Sequence, residues 1–467
     1  MDIKLQFLGG AENVTGSSHL VHINGATILI DCGFFQERDL QGRNWEPFVF
    51  DPSSLDAVVL THGHLDHCGL LPRLAKEGFE GPIYATSATA DIAEIVMRDA
   101  AHIQAEDAAF KKRRHQKEGK VSKFGYDPLY TAQDVDRVIP LFSKEPFRSK
   151  RKVAQGVTIE FTKAGHILGA ASVRITGERH GKSRSVVFSG DIGRPDTPIL
   201  QNPEPFESGE IVCMESTYGN RIHKEASSIS ATLVRVIQAA VKAGGNVVIP
   251  SFAIERTQEL LYRLGNLLRE GRIPEVPVFV DSPMAVKVTD VFREHPELFD
   301  EKTQEILRAG NHPCDFEGLH LTRTVEESKA LNTRPGTSII IAGSGMCTGG
   351  RIKHHLRNNL ERPESTILFV GYQAVGTLGR KILEGATEVR LFGQMTSVLA
   401  RITKVNGMSA HADQKELLAW LKGQKEPPQS VFMVHGELDA AQTLADVITR
   451  DLGISAKVAK RGEAVTV

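Results

Sequence analysis

Four side chains able to bind a metal crowd into six consecutive residues, His62-Gly63-His64-Leu65-Asp66-His67. Imidazole and carboxylate together suit zinc, iron or manganese. Ligands alternating with spacers can reach different sides of one cavity, which invites two metals rather than one. The plain alternative is a polar turn whose histidines face solvent or satisfy core hydrogen bonds. A lone His would favour that alternative, and this density of ligands argues against it.

The apolar run Asp56-Ala57-Val58-Val59-Leu60 leads straight into the cluster, predicting a buried strand with the ligands on the turn at its carboxyl end. Leu70, Leu71 and Leu74 recur at helical spacing, so a helix is expected to begin at Asp66 or His67. Three further ligand candidates lie far along the chain: His166 in Gly165-His166-Ile167, Asp191 in Ser189-Gly190-Asp191, and His435 in Val434-His435-Gly436. Each closely follows a strand-like run beside a glycine, which permits close backbone approach. Singly, such strand-end residues are more often structural.

The elements that must position these groups form a pattern. Short Val- and Ile-rich runs at Ala26 to Ile30, Val157 to Phe161, Ser185 to Phe188, Val247 to Ile249, Val278 to Val280, Ser338 to Ile341 and Ser430 to Val434 predict strands, several separated by helical stretches. That is an α/β architecture of stacked layers. Many runs end on polar or glycine-rich turns, and α/β proteins build sites outside strand ends. Helices are expected over Ser87 to Lys120, with the basic tract Lys111 to Lys117 at its end, and over Ser230 to Lys242. The tract reads first as a solvated face and second as an RNA-backbone contact. Asp413, three residues before Glu416, predicts a capping box. His411 then lies just outside a helix amino terminus, where anions are favoured.

The chain has 467 residues, enough for two or three domains. Its 56 basic and 57 acidic residues give a net charge of -1, so any contact with nucleic acid must come from local patches. Five scattered cysteines without a C-x-x-C pair point to a reducing compartment. No segment reads as membrane-spanning or as a signal peptide, and a cytoplasmic protein is expected.

Taken in order, the H-x-H-x-D-H stretch, His166, Asp191 and His435 resemble the ligand set of the metallo-β-lactamase superfamily. The resemblance implies an αββα sandwich with the site at one edge of its two sheets. It also implies two zinc ions, one held by His62, His64 and His166, the other by Asp66, His67 and His435, with Asp191 bridging. Asp31, closing the run at Ile30, matches the family's early motif Asp, which supports the ligands from behind.

The long gap from Asp191 to His435 predicts an inserted domain. In and around it, Glu215-Ser216-Thr217-Tyr218-Gly219, Ser251-Phe252-Ala253-Ile254-Glu255-Arg256, Asp281-Ser282-Pro283, Gly343-Ser344-Gly345-Met346 and Met408-Ser409-Ala410-His411-Ala412-Asp413 resemble the β-CASP nucleases. The likeness is to the branch of cleavage and polyadenylation factor-like ribonucleases, and it covers nearly the whole chain. It implies a metallo-β-lactamase domain over residues 1–219 and 403–467, interrupted by an α/β β-CASP domain over 220–402. Glu215 matches the acidic motif A, His411 motif B and His435 motif C. Members that process RNA carry His at motif C, whereas the DNA-repair branch tends to Val, so His435 points to RNA.

The implied activity is hydrolysis of single-stranded RNA by a hydroxide activated by two metals, which also stabilise the displaced oxygens. Asp66, His411 and Glu215 are the expected catalytic residues, with His411 protonating the leaving oxygen or clamping the phosphate and Glu215 orienting it. The glycine-rich turn from Gly343 to Arg351, followed by a basic helix, is a phosphate-cradle candidate, with Ser344 and Arg351 as contacts and Ser251 and Arg256 behind them. The resemblance leans toward a homodimer. Two alternatives stay open: a small-molecule hydrolase acting on a lactone, thioester or β-lactam, and a scaffold that binds RNA without cutting it.

Overall fold

The computed structural model describes residues 2–122, 125–223 and 229–467. Two compact units divide the chain. One comprises Met1–Pro195, Asn202–Ile222 and His411–Val467; the other comprises Asp196–Gln201 and His223–Ala410.

The first unit contains two seven-stranded sheets. One runs, edge to edge, Ala464–Thr466, Ile3–Gly9, Ser18–Ile23, Ala26–Ile30, Ala57–Val59, Ile83–Ala85 and Phe142–Lys144. The other runs Ser455–Val458, Ser430–Val434, Ile211–Glu215, Lys182–Phe188, Ala171–Arg179, Val157–Lys163 and Lys150–Ala154. The alternation of the strands decides how they pack. Ile3, Leu5, Phe7, Val21, Ile28 and Val59 from the first sheet meet Ile159, Phe161, Val173, Ile175, Phe188 and Phe432 from the second in one buried cluster. Each such side chain contributes about 1.5–3 kcal/mol of burial. The residues between them serve the opposite face: Val187, Val212, Met214, Val431 and Met433 pack with Leu417, Trp420 and Leu421 of helix Gln414–Lys422 and with Leu444 and Ile448 of helix Leu438–Leu452. The expected sandwich with outer helices is therefore present.

The register brings the site residues together. Ile28 and Ile30 pair in parallel with Ala57 and Val59, so Asp31 and Thr61 leave neighbouring strand ends. Glu215 pairs with Val434, which sets it beside His435. The single helix expected after the H-x-H-x-D-H stretch is two short ones, Leu65–Cys68 and Leu71–Lys76. Pro72 explains the break: it lacks an N–H to continue a helix but suits the first turn of a new one.

The second unit is built on a six-stranded sheet in the order Leu319–Leu321, Val278–Asp281, Ile339–Ala342, Val247–Pro250, Thr366–Phe369 and Arg401–Lys404, all pairs parallel. Its central strands are buried on both faces and correspondingly apolar, with Asp281 and Thr366 as polar residues at their ends. The domain limit expected after residue 402 falls inside strand Arg401–Lys404, which pairs with Thr366–Phe369 and so stays with this sheet. The range 220–402 also spans residues 224–228, which lie outside the described residues.

Candidate metal centre

The turn after Val59 is fixed before any ligand is considered. Gly63 presses against the long helix Ser87–Glu118, where a β-carbon would come within 2.7 Å of Ile92 Cγ2 and 3.0 Å of the Ala93 nitrogen. His64 is the N-cap of Leu65–Cys68, whose one turn carries Asp66 and His67. His62, His67, His166, Asp191 and His435 are buried, at 3 % exposure or less.

The ligand atoms fall into three overlapping groups that could each hold a metal: His62, His64, His166 and Asp191 in one, Asp66, His67 and His435 in a second, and Asp191, His411 and His435 in a third. His64 Nδ1 lies 3.1 Å from His62 Nε2 and 3.3 Å from His166 Nε2. Asp191 Oδ2 is 3.4 Å from His62 Nε2, 3.5 Å from His166 Nε2 and 3.5 Å from His435 Nε2, while its Oδ1 is 3.4 Å from His67 Nε2. Ligands about 2.0–2.1 Å from a tetrahedral zinc stand roughly 3.3–3.4 Å apart, which these separations match. Asp191 faces ligands of the first two groups, with Oδ1 toward His67 and Oδ2 toward His62, His166 and His435. His67 Nε2 and Asp191 Oδ1 are buried and face each other at 3.4 Å without a well-formed hydrogen bond, which suits atoms that a shared ligand would satisfy. The residues therefore suit a metal.

The outer atoms of the imidazoles are assigned by a chain of hydrogen bonds. Asp31 Oδ1 accepts from the Thr61 N–H at 2.8 Å, and Oδ2 accepts from the Thr61 hydroxyl at 2.9 Å and from His67 Nδ1 at 2.7 Å. Because the Thr61 hydroxyl donates to Asp31, its oxygen is left to accept from His62 Nδ1 at 3.1 Å. Both rings thus donate from Nδ1 and turn Nε2 inward, the nitrogen that metal-binding histidines offer to the ion once it is free of a proton. Ser17 Oγ meets His435 Nδ1 at 3.1 Å. Neither Ser17 nor Thr61 was among the expected site residues.

Electrostatics favour a cation here. Burial drives His62 and His435 well below the usual histidine range, aided by the neighbouring imidazoles, and keeps them neutral. Burial also raises Asp191, to about 7. For His67, burial acts downward but is overcome by the charges of Asp191 and Asp31, which lift it to about 10. The carboxylates thus bind a proton tightly on His67 where a metal ion would supply the positive charge instead.

Next to the first two groups, His411 Nδ1 lies 3.2 Å from Glu215 Oε2 and 3.3 Å from Oε1. Glu215 is wholly buried, and its Oε1 also accepts the Ile192 N–H at 2.5 Å. Residue 193 bridges His411, and the Ala412 N–H donates to the Ile192 carbonyl at 2.8 Å, so one short backbone segment holds both partners. Gly193 is required there, since a β-carbon would sit 1.8 Å from the Gly165 oxygen. Burial lowers the His411 pKa, but Glu215 and then Asp191 raise it to about 9. Part of the His411 side chain, 21 %, stays open to solvent. The capping box at Asp413 and Glu416 is present and uses the first free N–H groups of the helix internally, so that terminus offers less to an anion than its sequence suggests.

The four expected phosphate contacts belong to the second unit and differ in reach. Ser251 is 1 % exposed, its hydroxyl donating to the Phe252 carbonyl at 3.2 Å and accepting from Thr257 at 3.1 Å. Arg256 is 7 % exposed and pairs with Glu259. These two are interior braces rather than surface contacts. Ser344 Oγ accepts the N–H groups of Thr348 at 3.0 Å and Gly349 at 3.3 Å, so the hydroxyl itself occupies the cradle of its glycine-rich loop. Arg351 donates to Asp281 at 2.6 Å, and Asp281 also accepts from His355 and Ser328 at 2.6 Å each. In the first unit, the basic tract caps the long helix with Lys112, Arg113, Arg114 and Lys117 exposed. No helix among the described residues is long and apolar enough to cross a membrane.

Comparison with known proteins adds three family matches in chain order: the metallo-beta-lactamase superfamily over residues 12–217, the Beta-Casp domain over 257–382, and the Zn-dependent metallo-hydrolase RNA specificity domain over 396–459. The chain is 36 % identical over 459 residues to Ribonuclease TTHA0252 of Thermus thermophilus, covering 98 % of this chain and 99 % of that one. It is 32 % identical to Transcription termination factor FttA of Methanosarcina mazei, covering 99 % of this chain and 71 % of the relative. A crystal structure of a protein of unknown function from Enterococcus faecalis shares the fold at a TM-score of 0.58 and 13 % identity over the full length of both chains.

Proposed function

The chain belongs to the β-CASP family of metal-dependent hydrolases with the metallo-β-lactamase fold, and on that premise we propose that it is a zinc-dependent ribonuclease cutting single-stranded RNA. The observation that carries the reading is Asp191, whose two oxygens face two groups of ligands at separations suited to two zinc ions. His62, His64 and His166 would hold one ion, Asp66, His67 and His435 the other, and Asp191 both. Bound there, zinc would lower the pKa of a water and offset charge on the phosphate.

The remaining work falls to the protein. Asp31 and Thr61 keep His67 and His62 in the tautomer that turns Nε2 inward. Glu215 keeps His411 protonated at neutral pH, and the exposed part of that ring gives its proton to the leaving oxygen of the cleaved phosphodiester. Asp66, on the same turn as His67, completes the reacting group. Ser344 and Arg351 serve as substrate contacts on the inserted domain, and the division into 1–219, 220–402 and 403–467, with its last limit moved beyond strand Arg401–Lys404, assigns the chemistry to the outer segments. The names of the relatives, one a ribonuclease, support RNA as substrate. The same reading assigns the protein to the cytoplasm, as a homodimer.

The test is incubation of the purified protein with 5′-labelled RNA, matched DNA and a chromogenic lactam or thioester, with and without chelator. RNA cleavage lost on chelation and restored by zinc is the expected result. Chelator-insensitive cleavage overturns the metal reading, turnover of the small ester alone favours a small-molecule hydrolase, and RNA retention without cleavage favours a scaffold.

A further inference from the structure

His62, His67 and His435 each rest on an outer partner, and the partners differ. His67 leans on the carboxylate of Asp31 and His62 on the Thr61 hydroxyl that Asp31 anchors. His435 meets the hydroxyl of Ser17, 418 residues away in sequence, at 3.1 Å. Ser17 is 2 % exposed, and its backbone reaches the same side of the site a second time: its N–H donates to the Asp66 carbonyl at 2.9 Å. One residue therefore touches two members of the group formed by Asp66, His67 and His435, through side chain and backbone.

The loop that carries Ser17 is built to hold it still. Its carbonyl accepts from the Gly33 N–H at 2.9 Å. Glu37 gathers the N–H groups of Val14 at 3.2 Å and Thr15 at 3.0 Å. In return, the loop carbonyls of Gly10 and Asn13 accept from the N–H groups of His435 at 2.6 Å and Gly436 at 3.2 Å. His435 has a positive φ of 46°, a conformation that costs a non-glycine residue energy and persists when surrounding bonds fix it. Gly10 leaves room for the hydroxyl, since a β-carbon there would lie 2.8 Å from Ser17 Oγ.

We propose that Ser17 is a positioning residue for the second zinc alone: its hydroxyl accepts the His435 Nδ1 proton and so directs the Nε2 lone pair toward Asp191. The inference rests on the two-zinc reading above. A hydroxyl can also donate, so without a metal the bond can run either way; with a metal on Nε2 only the accepting direction remains. The contribution of Ser17 is then specific to His435, the imidazole that its hydroxyl meets.

The experiment is zinc titration of the full-length apoprotein against a chromophoric chelator, with cobalt substitution as a spectroscopic readout, on wild type, Ser17→Ala and Ser17→Thr. Wild type is expected to bind two ions. Ser17→Ala should keep one at wild-type affinity and bind the other about 10–100-fold more weakly, with the cobalt absorption of one site altered and that of the other unchanged. Ser17→Thr, which keeps a hydroxyl, should recover part of the loss. Two ions bound by Ser17→Ala as tightly as by wild type overturn the proposal, as does equal weakening of both sites with a lowered melting temperature of the apoprotein, which marks a general structural role. Should Ser17→Ala fail to fold, Ser17→Gly is read by the same criteria, and failure of both overturns specificity for one site. Fewer than two ions in wild type defeats the underlying two-zinc reading instead.

Discussion

His411 Nδ1 stands 3.2 Å from Glu215 Oε2 and 3.9 Å from Asp191 Oδ2, an imidazole held between two buried carboxylates. Burial alone would make this ring neutral; the carboxylates reverse that and raise its pKa to about 9. A donor of that pKa is protonated at neutral pH and loses its proton as pH rises. RNA cleavage is therefore expected to hold through neutrality and to fall above about pH 9, read as the alkaline limb of a kcat profile.

Glu215→Gln removes the first of those charges while keeping a side chain of similar shape. Without it, burial again dominates and the His411 pKa moves down. The alkaline limb should shift to lower pH, whereas loss of folding would reduce activity at every pH. His411→Ala removes the donor itself and should cost about 100- to 10,000-fold in kcat with zinc content unchanged. Full activity in that variant would end the general-acid assignment.

Asp31 shares one oxygen between the His67 ring and the Thr61 hydroxyl, so a single carboxylate orders both sides of the H-x-H-x-D-H turn. Asp31→Asn retains the shape but halves the acceptor capacity, and an amide nitrogen facing His67 Nδ1 would force the other tautomer. Zinc affinity is expected to drop about 10–100-fold, measured by chelator competition. Unlike the effect of Ser17→Ala, this loss should extend to both sites through Thr61 and His62.

Much of this site can be read from sequence because metal binding demands a few residue types at short spacing. His62, His64, Asp66 and His67 advertise themselves, and the strands that carry Asp31, Asp191 and His435 show as apolar runs. Ser17 does not, because a serine in a glycine-rich loop has no local signature and its partner is 418 residues distant. Arg256 misleads in the opposite way. It resembles an available cation, yet Glu259 one helical turn on takes its charge, a pairing that the spacing of three could have revealed. Leu70, Leu71 and Leu74 have the spacing of one helix with the preceding ligands, and Pro72 is the sign in the sequence that the helix restarts.

Asp281 offers a test in the inserted domain that is independent of metal. It is fully buried and accepts from Arg351, His355 and Ser328, and although burial acts to raise its pKa, those hydrogen bonds bring the net value below the usual range. A depressed carboxylate stabilises the fold above its ordinary pKa, and that stability is lost as pH falls through the lower folded value. Asp281→Ala leaves Arg351 and His355 beside an empty acceptor, a change expected to cost about 3–5 kcal/mol. Denaturant unfolding at neutral pH should show that loss. Repeated at falling pH, the difference between variant and wild type should shrink as Asp281 becomes protonated in the wild type. A difference that stays constant with pH would mean that Asp281 acts by packing rather than by charge.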